Sequence, residues 1–190
     1  MLKELLEKFG FNKNGVEPEL TMSNDGGLYG MNPPETLFGF TYHAHMIPPC
    51  KPEHTLILGY GQGTVADLMR KIWGSDLKIT GIDLKKYKYN YTEYELRMVD
   101  AWDYIVDCTA SPIKKRFDYI VVDLSNGLEI PDFVYTAEFA VRLREMCKKM
   151  VCINTPVDDF SKLKAFYDYG WKFERHNNIY GTCISYWSVR

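Results

Sequence analysis

The stretch LILGYGQGT, Leu56 to Thr64, follows an apolar run with three glycines at alternate positions, Gly59, Gly61 and Gly63. Glycine suits such a turn because side chains would hold a ligand off the backbone and because the dihedrals are unusual. A helix beginning near Thr64 aims its amides and positive end at the same place. The spacing is G-x-G-x-G, with Thr64 standing where the dinucleotide fingerprint G-x-G-x-x-G has its last glycine. Glycines also serve tight strand-to-helix turns that bind nothing, so the surroundings have to decide.

Those surroundings alternate. TLILG, LKITGID, ELRMV, FDYIVVD and MVCIN read as short apolar strands; TVADLMRKIWG, DAWDYIVDC, VYTAEFAVRLREMCKK and DDFSKLKAFYDYG read as helices between or after them. The tail WKFERHNNIYGTCISYWSVR reads as two strands around an Asn177-Asn178 turn. Apolar strands alternating with helices predict an α/β fold. It is Rossmann-like and doubly wound, a mostly parallel seven-stranded sheet with a C-terminal antiparallel hairpin. Residues 1–54 differ: a short amphipathic helix (MLKELLEKFG), two turn signals (NKNG and SNDGG) and a proline- and aromatic-rich segment. They read as a helix and lid-like segment packed on a binding domain of residues 55–190.

Ligands on such sheets sit beyond the carboxyl ends of the strands. That rule selects the glycine turn with Gln62, then Asp83 with Leu84, Asp100 with Ala101, and Asp123. Asp83, 20 residues after Gly63, can accept both ribose hydroxyls of a nucleoside; alone it could equally be a helix cap. Asp100 can accept an exocyclic adenine amine beside the small Ala101, although DAWD is also a fair helix N-terminus. Asp123 faces the place where a reacting group would lie and can accept a proton or contact an amine; Ser125 and Asn126 follow on the same loop.

The chain of 190 residues suffices for one domain, with 46% hydrophobic and 25% charged residues. A net charge of −2 gives no general pull toward nucleic acid or an anionic membrane. No apolar run reaches the roughly 20 residues of a membrane span. Five scattered cysteines without a CxxC pair suggest buried thiols in a reducing, cytoplasmic setting and no structural metal. The Lys/Tyr run KKYKYNYTEY, with Tyr87, reads as a solvated loop beside the adenine rather than a nucleic-acid surface.

Assembled, these residues resemble class I S-adenosylmethionine-dependent methyltransferases, and among them the spermidine synthase branch. Ile57 stands where most methyltransferases carry an acidic residue and spermidine synthases an apolar one; FDYIVVDLSNG and the Asp100-Ala101 pair are similar to that branch too. The resemblance covers residues 55–154 and implies S-adenosyl-L-methionine, or its decarboxylated form, as cofactor. Gly59, Gly61, Gln62, Gly63, Asp83, Leu84, Asp100, Ala101 and Asp123 would hold it. Spermidine synthases have an aspartate where this chain has Gln62, one that repels the carboxylate of ordinary S-adenosylmethionine. Asn126 and Gly127 replace an acidic residue and a proline of their diamine site. The expectation is therefore methyl transfer to a small-molecule acceptor. Aminopropyl transfer and a non-catalytic nucleoside-binding role are the alternatives, and a homodimer is left open. Asp123, Tyr42 and His43 are the candidate catalytic groups, with His45 beside them; two histidines without a third ligand do not make a metal site.

Overall fold

The computed structural model describes residues 20–22, 28–31, 42–85, 95–111, 117–125, 129–179 and 181–190. Its body is a seven-stranded sheet built from β3 (His54–Leu58), β4 (Lys78–Asp83), β5 (Glu95–Met98), β6 (Phe117–Val122), β7 (Cys147–Pro156), β8 (Trp171–Ile179) and β9 (Thr182–Val189). The strand order is β5-β4-β3-β6-β7-β9-β8. All pairings from β5 to β7 are parallel, and β9 runs antiparallel to both of its neighbours. The expected fold class is therefore the one observed. A separate antiparallel pair, β1 (Leu20–Met22) with β2 (Leu28–Met31), brackets the SNDGG turn signal.

Both faces of the sheet are covered, which is why its inner strands are apolar throughout; all six residues of β6 are buried. Alternation along the strands divides the core in two. Leu56, Leu58, Ile120, Val122, Val151 and Ile153 pack with α2 (Ala101–Ala110) and α3 (Ala137–Met146). Ile57, Ile79, Val121 and Cys152 point the other way, toward α1 (Thr64–Trp73) and toward Met46 and Ile47. The 3-10 turn Tyr42–Met46 is thus seated in this second core, where the Tyr119 hydroxyl donates to the Met46 carbonyl at 2.7 Å. Each large aliphatic side chain so buried stabilises the fold by about 1.5–3 kcal/mol.

Three expectations are corrected. The helix expected over VYTAEFAVRLREMCKK is a 3-10 turn, Asp132–Tyr135, followed by α3; Cys147 to Lys149 belong to β7. The extended backbone there pairs Cys147 with Phe117 and brings Lys148 and Lys149 to 3.6 and 3.5 Å from the buried carboxylate of Asp118. Tertiary pairing overrides a locally helical sequence. Residues Val157–Leu163 form a 3-10 turn that follows Pro156, leaving only α4 (Lys164–Asp168) of the helix expected over DDFSKLKAFYDYG. Finally, Asn177 and Asn178 lie within β8, opposite Ile184 and Cys183. The reversal falls between Ile179 and Thr182, where Gly181 takes the positive φ of 82° that the tight turn needs.

Among the described residues no helix is long and apolar enough to cross a membrane. Cys108, Cys147, Cys152 and Cys183 are buried free thiols, and Cys50 is exposed. The helix expected over residues 1–10, most of the Lys/Tyr run with Tyr87, and Asn126 with Gly127 lie outside the described residues.

Candidate functional site

The sheet reverses its winding between β3 and β6, and at the carboxyl ends there a cavity of about 330 Å³ opens. That size falls within the usual range for small-ligand sites. It is lined by Gly59, Gly61, Gln62, Asp83, Leu84, Asp100, Ala101, Asp123, Tyr42 and His43, so ten of the residues selected from the sequence converge on one place. Gly63 stands behind them as the N-cap of α1, at φ 91°. His45 does not line the cavity; burial lowers its pKa, with the Arg175 charge acting the same way.

The glycine turn is held by its own backbone. The Gly59 and Tyr60 amides both donate to the Ile82 carbonyl (2.9 and 3.1 Å), and Gly63 N–H donates to the Tyr60 carbonyl at 3.0 Å. Gly61 N–H donates to Asp83 Oδ2 at 2.7 Å. With four amides spent inside the protein, the turn offers shape rather than the ring of N–H donors that a phosphate needs.

Its acidic neighbours argue in the same direction. Asp83 also accepts Lys85 N–H at 2.9 Å; burial raises its pKa, while the Lys85, Gly61 and Leu84 amides and the Lys85 charge pull it back. Asp100 caps α2: its Oδ1 accepts from the Trp102 amide at 2.7 Å and the Asp103 amide at 3.3 Å. The capping reading of DAWD is thus realised, with Asp100 on the cavity wall as well. Asp123 extends β6, its amide donating to the Leu58 carbonyl at 2.8 Å. Asn154 Nδ2 donates to Asp123 Oδ1 at 2.8 Å, and the Tyr42 hydroxyl approaches Oδ2 at 3.4 Å. Burial pushes the Asp123 carboxyl up from 3.8 to about 6, against those two donors; the Asp83 charge adds to the rise.

Tyr42 is pushed well above its ordinary value by burial and then by Asp123, so it stays a phenol. Its ring stacks on His43, with centroids 3.9 Å apart and planes at 27°. Burial lowers the His43 pKa to about 3, so that ring is neutral at physiological pH. Among the cavity residues, His43 Nδ1 and Gln62 Oε1 are buried polar atoms without a hydrogen-bond partner. An apolar end is supplied by Leu84, which is 68% exposed, and by Phe133, whose ring packs 5.3 Å from Trp102 beside Asp100.

Sequence reasoning missed Asn154 and the pair Pro131 and Phe133. Asn154 carries the same signal as the other sites, a polar residue toward the carboxyl end of an apolar strand, and the rule simply extends to it. Phe133, ten residues beyond Asp123, gives no local signal. Among the described residues no group of three His, Cys, Asp or Glu side chains could hold a metal.

Solved structures resemble this fold. A Streptococcus mutans protein described as a putative SAM-dependent methyltransferase superposes with a TM-score of 0.61 over 94% of this chain and 57% of its own, at 13% identity. The ribosomal protein L11 methylase of Lactobacillus delbrueckii subsp. bulgaricus gives 0.54 over 75% and 72%, also at 13%. The 1,6-didemethyltoxoflavin-N1-methyltransferase of Burkholderia thailandensis, solved with S-adenosylhomocysteine, gives 0.54 over 73% and 72%, at 10%. The fold is that of class I S-adenosylmethionine-dependent methyltransferases. The chain spans less than three fifths of the Streptococcus mutans protein's length. No protein-family model matches the sequence, and no curated protein does either. Nothing in these likenesses favours the spermidine synthase branch over other methyltransferases.

Proposed function

We propose that the chain is a methyltransferase that binds S-adenosyl-L-methionine and methylates a small-molecule acceptor. The observation that carries this reading is the set of three carboxylates, Asp83, Asp100 and Asp123, on one cavity wall beside a glycine turn four of whose amides are already used. Carboxylates repel phosphates, but they suit a ligand bearing a ribose diol, an adenine amine, an ammonium and a sulfonium. When bound, S-adenosylmethionine supplies an electrophilic methyl group on a positively charged sulfur.

In this reading Asp83 accepts the ribose hydroxyls, and Asp100 with Ala101 receives the adenine edge while Leu84 and Phe133 cover its ring. Asp123, Tyr42 and His43 lie at the reacting end. Holding donor and acceptor in line supplies most of the rate in such a displacement. Asp123, set near neutrality by burial, takes a proton from an acceptor that must lose one. Tyr42 and Asn154 keep that carboxylate oriented.

Gln62, neutral and only 7% exposed, supports ordinary rather than decarboxylated S-adenosylmethionine. Its replacement tests this. Calorimetric titration should show wild type binding S-adenosylmethionine at least as tightly as the decarboxylated form. Gln62→Asp should reverse the order by tenfold or more, since a carboxylate pair in a partly desolvated site costs a few kcal/mol. A wild-type preference for the decarboxylated form would sink the reading in favour of aminopropyl transfer.

A further inference from the structure

The reacting end of the cavity has an imbalance of hydrogen-bonding groups. It presents the Asp123 carboxylate, which when ionised can only accept, and the buried, unpartnered Gln62 Oε1 and His43 Nδ1. The neutral His43 ring offers at Nδ1 either an acceptor or an N–H donor, according to its tautomer. Gln62 and His43 are 7% and 6% exposed, so water does little to satisfy them from outside the cavity. Among the described residues lining the cavity, Lys85 is the sole cation. It follows Asp83 directly, with its amide on that carboxylate, and so belongs to the nucleoside side. Gln62 Oε1 left unpaired is costly and the Asp123 carboxylate repels a second anion, so a molecule that fits here brings an N–H or O–H donor and no negative charge.

The charge flow of the reaction narrows this further. A neutral nitrogen attacking a sulfonium carries positive charge from sulfur to nitrogen, and a neighbouring carboxylate is attracted to it throughout. A phenolate or carboxylate nucleophile starts as an anion beside Asp123, with no Lys or Arg among the described residues lining that end, and the sulfonium charge that attracts it disappears as the methyl is transferred.

We infer that the acceptor is an uncharged nitrogen nucleophile bearing an N–H, an amine or N-heterocycle, which donates to the Asp123 carboxylate with Gln62 and His43 around it. The inference rests on the methyl-transfer reading above. The nitrogen lone pair forms the N–C bond, the C–S bond breaks with its electron pair going to sulfur, and the N–H proton passes to the Asp123 carboxylate. The N–H···carboxylate bond strengthens as positive charge grows on nitrogen, so it favours the transition state over the bound substrate.

Two flat probes of similar size test this on the full chain saturated with S-adenosylhomocysteine: benzimidazole, a neutral N–H heterocycle, and benzoate, an anion. Titration at pH 8 should show benzimidazole binding at least tenfold tighter than benzoate. Asp123→Asn, which keeps the size of the side chain and removes its charge, should narrow the ratio to about threefold or less. Benzoate binding as well as benzimidazole, an unchanged ratio in Asp123→Asn, or no benzimidazole binding at millimolar concentration would each overturn the inference. Failure to saturate with S-adenosylhomocysteine is a separate result, and it would overturn the methyl-transfer reading itself.

Discussion

Gly59→Ala should destabilise the chain by about 4 kcal/mol, lowering the melting temperature by on the order of 10 °C. Two effects add. Gly59 sits at φ 83°, where a residue with a Cβ is strained by about 1–2 kcal/mol. A Cβ there would also lie 2.1 Å from the Asp123 carbonyl oxygen and 2.6 Å from its carbonyl carbon. Those are backbone atoms of a loop bonded to β3, so neither can turn aside as a side chain would. Relief requires β3 and β6 to part at the switch point, which opens the cavity as well, so ligand affinity falls together with stability. Gly181→Ala is the control. Its φ of 82° is nearly the same, but nothing lies within 4 Å of its added Cβ, so only the backbone strain of about 1 kcal/mol remains. Thermal melts of the two variants separate strain from collision. Equal losses would mean that Gly59 is a turn residue and nothing more.

Asp123→Asn should have the opposite sign on stability and a large loss of activity. The folded chain raises this carboxyl from 3.8 to about 6, so its ionised form is disfavoured by folding. A raised carboxyl stabilises most below about pH 4, and that contribution is lost as pH rises through about 6. At pH 8 the full penalty, about 3 kcal/mol as an upper figure, acts against the fold. Asparagine avoids it, while its amide oxygen still accepts from Asn154 or Tyr42. Melts at pH 8 should therefore show the variant more stable by about 1–3 kcal/mol, with the gain gone at pH 4. Methyl transfer should fall by on the order of 10²-fold through the loss of the proton acceptor. A variant less stable than wild type at pH 8 would mean that the Asn154 and Tyr42 contacts outweigh burial.

The sheet and the three carboxylates that line its cavity were legible because their signals are local. A glycine turn, an apolar run and the aspartate that ends it are contiguous in sequence, and the strand-end rule converts them into one place. Asp100 shows the limit of such reading. The same carboxylate caps α2 and lines the cavity, so the two interpretations were never exclusive. What stayed hidden depends on distant partners. Asn154 reaches Asp123 from the adjacent strand β7, the Tyr42–His43 stack arrives from before β3, and Phe133 packs on Trp102. Cys147 to Lys149 misled because their extended form is set by Phe117 and Asp118, some 30 residues earlier. The Asn177-Asn178 pair is a fair turn signal that loses to Gly181, the residue with the freer backbone.

The central claim is that the cavity holds S-adenosylmethionine, with Asp83 on its ribose. Calorimetric titration of the full chain with S-adenosylhomocysteine tests it most directly, in wild type and in Asp83→Asn. Asparagine keeps an acceptor for the Gly61 amide but loses the charge that strengthens two ribose contacts. The expected result is saturable binding at one site per chain, at least tenfold weaker in the variant, with the melting temperature little changed. A wild type that melts cooperatively yet binds neither S-adenosylhomocysteine nor S-adenosylmethionine would contradict it.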